Sequence, residues 1–190
     1  MKFMPVQQVK SPRSLFRSHQ ALPRDAPRVR THAAIASAPL TMASAPKEFG
    51  LVAGVVAASW MVHHGFMGVK VMQARKKYKV DYPALYATTE NCPDAQARKA
   101  FNCVQRGHQN SLENQPIFLA LLVTAGLKHP ITAATAGAIY LVGRVMYMQG
   151  YSTGDPDKRM RGSILYAGLF TLVGIVCKWG FQAATALLSK

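Results

Sequence analysis

Acidic residues are scarce in this chain: eight Asp and Glu stand against 23 Lys and Arg, a formal net charge of +15 over 190 residues. Charged residues of both signs make up only 16% of the sequence, whereas an ordinary soluble domain carries roughly 25%. Cysteine is scarce too. Three residues with no CxxC spacing exclude a full disulfide framework and offer no zinc signature. What fills the space is apolar: 49% of the chain is hydrophobic. A positive excess points to nucleic acid only when the basic residues share one folded, soluble face. Their distribution along the chain therefore decides what the charge means.

Residues 1–46 contain Lys2, Lys10, Arg13, Arg17, Arg24, Arg28 and Arg30, with Asp25 as the single acid. This segment accounts for +6 and leaves +9 for residues 47–190. Six prolines, Pro5 through Pro46, interrupt any long helix. No apolar run is long enough for a secretory signal. An Arg-rich, Ser-rich, acid-poor start is the composition of an organelle transit peptide; a disordered basic leader that stays attached is the other reading. The address read from it is a plastid or mitochondrial membrane, with the endoplasmic reticulum second.

Residues 47–190 read as an all-α integral membrane protein, a four-helix bundle. Phe49 to Val69 contains no Lys, Arg, Asp or Glu. At 1.5 Å per residue such a stretch covers about 30 Å, the thickness of a bilayer core. The expected spans are about 49–72, 101–127, 131–151 and 162–188. The second is polar in its first half and apolar from Ile117 to Leu127; the third carries one charge, Arg144, and the fourth carries Lys178. Basic residues gather between spans one and two (Arg75, Lys76, Lys77, Lys79, Arg98, Lys99) and between spans three and four (Lys158, Arg159, Arg161). Both loops lie on one side of an even-numbered bundle, and the positive-inside rule places that side in the cytosol or stroma. Most of the charge is thus address and orientation, and nucleic acid is not an expected partner.

Polar groups inside spans are expensive: even the lenient insertion scale assigns a charge at a helix centre about 2.5–3.5 kcal/mol. On a helix Arg106, Asn110 and Glu113 fall at i, i+4 and i+7, on one face; Arg144, Tyr147 and Tyr151 fall at i, i+3 and i+7, again on one face. If the two stripes meet, they form a site for a small zwitterion with more than one carboxylate, because arginine forks bind carboxylates and a carboxylate accepts from an ammonium. The plainer reading is an Arg106–Glu113 or Arg144–Glu113 ion pair that fastens the bundle. His63 and His64 read as packing or hydrogen-bonding residues, since no third metal ligand has a suitable spacing; no metal site is expected. Cys103 and Cys177 read as buried, and Cys92 as a loop thiol.

The run Phe101-Asn102-Cys103-Val104-Gln105-Arg106-Gly107-His108-Gln109-Asn110-Ser111-Leu112-Glu113, followed by Pro116, resembles the signature of the MAPEG family, the membrane-associated proteins in eicosanoid and glutathione metabolism. Supporting blocks are Ala74-Arg75-Lys76-Lys77-Tyr78-Lys79-Val80 before Tyr82-Pro83, then Val142-Gly143-Arg144-Val145, Tyr147-Met148-Gln149-Gly150-Tyr151 and Thr153-Gly154-Asp155-Pro156-Asp157-Lys158-Arg159. The resemblance covers about residues 46–188. It implies a homotrimer with glutathione, as co-substrate, between neighbouring subunits. It implies that Arg106, Asn110, Glu113, Arg144, Tyr147 and Tyr151 bind glutathione, with Arg75 joining from the neighbour. Arg161, followed by Gly162-Ser163-Ile164-Leu165-Tyr166, corresponds to the family's thiolate-stabilising arginine. The catalytic pair implied is Arg161 with Tyr147; the longer Asp155-Pro156-Asp157 loop leaves Arg159 or Lys158 as substitutes. Asn114 replaces an aromatic present in some members.

The activity implied is transfer of glutathione to hydrophobic electrophiles or reduction of lipid hydroperoxides, with membrane lipid as surroundings and source of substrate. A non-catalytic scaffold, or an accessory subunit of a larger organelle membrane complex, is the second reading.

Overall fold

The computed structural model describes residues 46–189, and every described regular element is helical. The expected leader at 1–46 lies outside the described residues except at Pro46. Helix α1 (Phe49–Trp60) runs through a π-helical turn at Met61–Met67 into α2 (Gly68–Tyr78), giving one continuous rod, Phe49–Tyr78, of 30 residues. The rod outlasts the expected span 49–72 by six residues. It stops where Lys79 adopts φ 56, a left-handed conformation, and the Val80 N–H returns to the Arg75 carbonyl at 3.2 Å.

Helix α3 (Ala95–Gly126) begins where the Asp94 carboxylate accepts from the Gln96 N–H at 2.9 Å, a side-chain cap for a donor that the helix itself leaves unpaired. The cap sets the start six residues before the expected 101, because Ala95–Ala100 is polar but fully helix-competent. Helix α4 (Pro130–Tyr151) has Pro130 in its first turn, where a missing N–H costs nothing. The expected fourth span is shorter than read. Pro156–Gly162 forms a 3₁₀ helix, capped by the Asp155 carboxylate on the Asp157 N–H, and α5 (Leu165–Leu188) starts only afterwards.

Three helical rods are long and apolar enough to cross a membrane: Phe49–Tyr78, Pro130–Tyr151 and Leu165–Leu188. Helix α3 is 32 residues long, but the polar first half read from its sequence keeps it out of that group. Apolar side chains also face outward. Trp60, Ile117, Phe170 and Phe181 are all more than half exposed, as expected of helices whose surroundings are as apolar as their core.

The core has two parts. Val52, Phe118, Leu122, Ala136, Tyr140 and Leu172 join α1, α3, α4 and α5, with the Phe118 and Tyr140 rings stacked at 4.0 Å. Met67, Val71, Val80, Phe101, Val104 and Met148 form a second cluster at the end carrying the basic loops. Helices α4 and α5 approach closely because Gly168 lies against the Ala136 carbonyl and Tyr140, leaving no room for a side chain. Cys103 is buried as expected. Cys177 is exposed on α5, the reverse of the sequence reading, while Cys92 lies in a loop as read and is buried there. Cys177 falls on the outward arc of an apolar helix, which composition alone does not distinguish from the inward one.

Candidate functional site

The two polar stripes do meet. Arg144 on α4 is 4% exposed, and each of its hydrogen bonds has an oxygen acceptor. Its Nε donates to the Tyr140 hydroxyl and its Nη1 to Asn110 Oδ1 on α3, both at 2.9 Å. The guanidinium lies 5.0 Å from the Tyr140 ring centre and 5.8 Å from that of Tyr147. A buried cation is tolerable only with such partners, and among the described residues no carboxylate pairs with it. It remains available to an anion.

Beside it is a pocket of about 200 Å³ lined by Asn110, Arg144, Tyr147, Arg159, Ser163 and Tyr166, among others. Helices α3 and α4 supply the polar wall, the 3₁₀ segment supplies Arg159 and the rim, and α5 supplies Leu165, Tyr166 and Leu169. The 3₁₀ segment sits tightly on α4: Gly150 lies against the Lys158 carbonyl, and Gly162 against the Gly143 carbonyl and Tyr147. Tyr151 is buried, edge-on to Tyr147 at 5.6 Å, with the Arg159 guanidinium 5.8 Å from its ring centre.

Arg106 and Glu113 pair with each other at 2.8 Å, on the same α3 face as Asn110, with both side chains nearly half exposed. This is one of the two ion pairs open in the sequence reading; Arg144 does not pair with Glu113. The exposed pair presents a cation and a carboxylate to the exterior of the single subunit.

Of the expected residues, Asn110, Arg144 and Tyr147 line this pocket, whereas Arg75, Arg106, Glu113, Tyr151 and Arg161 do not. Arg75 is buried at the end of the first rod, where its Nη1 donates to the Ala84 carbonyl at 2.8 Å and the Val80 carbonyl at 3.3 Å. Its guanidinium lies 4.2 Å from the Tyr82 ring centre. Arg161 is exposed and does not line the pocket, whereas Arg159 does. The reason is local: in the 3₁₀ segment residues two apart point to different sides.

Three contributors were not singled out as site residues from sequence. Tyr140 extends the Arg144 face by one turn, and the i−4 spacing was the available signal. Asn114, one turn beyond Asn110, lines the pocket and donates to the Asn110 carbonyl at 2.8 Å. Tyr166 lies on α5 and had no sequence signal linking it to Arg144. Among the described residues no group of three or more His, Cys, Asp or Glu is placed to hold a metal ion.

A helical bundle with outward apolar faces and a buried arginine at a polar pocket defines a class of helical membrane protein. The chain belongs to the MAPEG family, whose profile matches residues 51–180. It is 33% identical over 112 residues to microsomal glutathione S-transferase 2 of Homo sapiens, covering 58% of this chain and 69% of that protein. It is 30% identical over 106 residues to leukotriene C4 synthase of Bos taurus, covering 55% of this chain and 63% of that one.

Proposed function

We propose that the protein is a membrane-bound glutathione transferase that conjugates glutathione to hydrophobic electrophiles, with reduction of lipid hydroperoxides as a second use of the same thiolate. The observation that carries this reading is Arg144: a buried guanidinium, held by Tyr140 and Asn110, with no carboxylate paired to it among the described residues, at a pocket of about 200 Å³. The relatives named for glutathione transfer and leukotriene C4 synthesis support it, as does the Arg106 to Glu113 block, which within the family resembles microsomal glutathione S-transferase 3.

In this reading Arg106, Asn110, Glu113, Arg144, Tyr147 and Tyr151 bind glutathione. Arg106 and Arg144 take its carboxylates and Glu113 its ammonium, opening the Arg106–Glu113 pair. Arg75 joins from a neighbouring subunit of a homotrimer. Four membrane crossings are proposed in a domain spanning 47–190, the exposed polar face of α3 being covered by the neighbouring subunits of that trimer. A transit leader at 1–46 and a plastid or mitochondrial membrane complete the picture.

The chemistry requires a thiolate. A free thiol with pKa near 8.5 is only about a few per cent ionised at neutral pH. Lowering that pKa by two units takes about 2.7 kcal/mol, which one charge-assisted hydrogen bond from an arginine supplies. The motif assigns that arginine to Arg161, exposed and free to face an adjoining subunit, with Tyr147 beside the sulfur. The placement of Arg159 inside the pocket favours it as the alternative. In conjugation the sulfur forms a bond to the electrophilic carbon and the leaving group departs with its electron pair. In hydroperoxide reduction the thiolate attacks the peroxide oxygen, the O–O bond breaks, and the alcohol leaves with a proton. A second glutathione then yields the disulfide and water.

A non-catalytic scaffold within a larger membrane complex is the competing role. Assaying the detergent-purified protein for conjugation and hydroperoxide reduction with millimolar glutathione separates the two: turnover supports the transferase, and absence of glutathione binding supports the scaffold.

A further inference from the structure

Helix α3 carries a second polar stripe. His108, Ser111 and Gln115 follow at i, i+3 and i+7, centred about 160° around the helix from Arg106, Asn110 and Glu113 at 100° per residue. The stripe faces α1 and its π turn. Gln115 Nε2 donates to Ser59 Oγ at 3.4 Å, and His108 Nε2 lies 3.0 Å from the His63 carbonyl oxygen. These two contacts cross-link the antiparallel rods one above the other, and Ser111 occupies the turn between them.

Two polar atoms of this layer have no hydrogen-bond partner among the described residues: His63 Nε2 and Ser111 Oγ. Both residues are 0% exposed. An unpaired buried donor or acceptor costs about 1–3 kcal/mol, and a membrane interior offers no bulk water to relieve it. The tautomer follows from the neighbours. His63 Nδ1 lies 2.7 Å from the Ser59 carbonyl oxygen, which only accepts, so Nδ1 carries the hydrogen. In the neutral ring Nε2 is then a bare acceptor that requires a donor. A ring side chain on a helix leans back toward the N-terminus, which lowers the His63 imidazole from its own level towards that of Ser59, opposite the Ser111 turn.

We infer that His63 Nε2 and Ser111 Oγ bind one ordered water molecule inside the subunit, between the π turn of the first rod and α3. The water donates one hydrogen to His63 Nε2 and accepts the Ser111 hydroxyl hydrogen. The π turn is where a helix most often departs from its ladder to serve such a group. The His63 carbonyl that His108 meets lies within this turn. The site is independent of the glutathione reading and stands on the far side of α3 from it.

The test is a high-resolution structure of the full chain in lipid nanodiscs, together with ¹⁵N spectra of histidine-labelled protein. The expected result is a solvent peak about 2.7–3.2 Å from both atoms and an unprotonated Nε2 on His63. In Ser111→Ala the peak weakens or moves while the His108–His63 contact persists. A layer with no solvent peak, in which Ser111 or another protein group donates directly to His63, overturns the inference. A protonated Nε2 on His63 also overturns it, whether or not the variant folds.

Discussion

Arg144 Nη1 donates to Asn110 Oδ1 at 2.9 Å, joining α4 to α3 at the wall of the pocket. The bond fixes one arm of the guanidinium, and the Tyr140 hydroxyl fixes another. The cation is therefore set in place before any anion arrives, which lowers the ordering cost of binding. Removing the acceptor leaves a buried charge short of a partner. A hydrogen bond to a charged group is worth about 1.5–3 kcal/mol. Asn110→Leu is expected to raise the glutathione KM roughly tenfold to hundredfold, with Asn110→Asp less severe, in steady-state conjugation assays.

The Arg106–Glu113 pair distinguishes a fastening ion pair from a ligand pair. Both side chains are nearly half exposed, and exposed pairs typically contribute about 0.2–1 kcal/mol. Glu113→Gln should therefore leave the thermal midpoint almost unchanged while weakening glutathione binding several-fold. A large drop in stability with unchanged binding would make the pair a structural fastener.

Arg159 and Arg161 separate by kinetics. Arg161→Ala is expected to lower kcat about 100-fold, the equivalent of about 2.7 kcal/mol, with little change in glutathione KM. Arg159→Ala, beside Tyr151 at the pocket, should raise KM more than it lowers kcat. Exchange of the two patterns in a rapid-mixing thiolate assay would transfer the thiolate role to Arg159.

The seat of the 3₁₀ segment on α4 depends on two glycines. A Cβ at Gly150 overlaps the Lys158 carbonyl, and one at Gly162 overlaps the Gly143 carbonyl and Tyr147. Backbone cannot yield as a flexible side chain does, so either Gly→Ala change is expected to cost about 1–3 kcal/mol. A fall in the thermal midpoint, with Gly174→Ala as a neutral control in open space, checks this.

Asp155 is the acid-sensitive cap of the same segment. The Asp157 N–H at 3.1 Å and then Lys158 at 3.5 Å hold its carboxyl below the usual carboxylate range. Because the folded value is depressed, the capping contribution is complete at neutral pH. It is lost as pH falls below about 4 and through the depressed value. Exchange of the Asp157 amide, corrected for its intrinsic rate, should accelerate over that range in the native protein and not in Asp155→Asn.

The helices were legible wherever apolar length dominates: 131–151 read from the sequence agrees with Pro130–Tyr151 to one residue. The ends were less so, because they are set by groups with no hydropathy signal, such as the Asp94 cap and the left-handed Lys79. In the site, Tyr147 and Arg144, grouped by helical spacing, both line the pocket; of the stripe on α3, Asn110 lines it and Arg106 does not. Spacing carries no information about the 3₁₀ geometry that turns Arg159 inward and leaves Arg161 exposed. Nor does it tell that Tyr166, on another helix, closes the pocket.

The central claim is that the buried Arg144 group binds glutathione for transfer to an apolar acceptor. Titration of the purified full chain with glutathione, followed by turnover with an aryl halide, tests it most directly. Saturable binding at or below millimolar concentration, conjugate formation, and loss of binding in Arg144→Met with the helical content retained are the expected results. No binding at millimolar glutathione by folded native protein would contradict it.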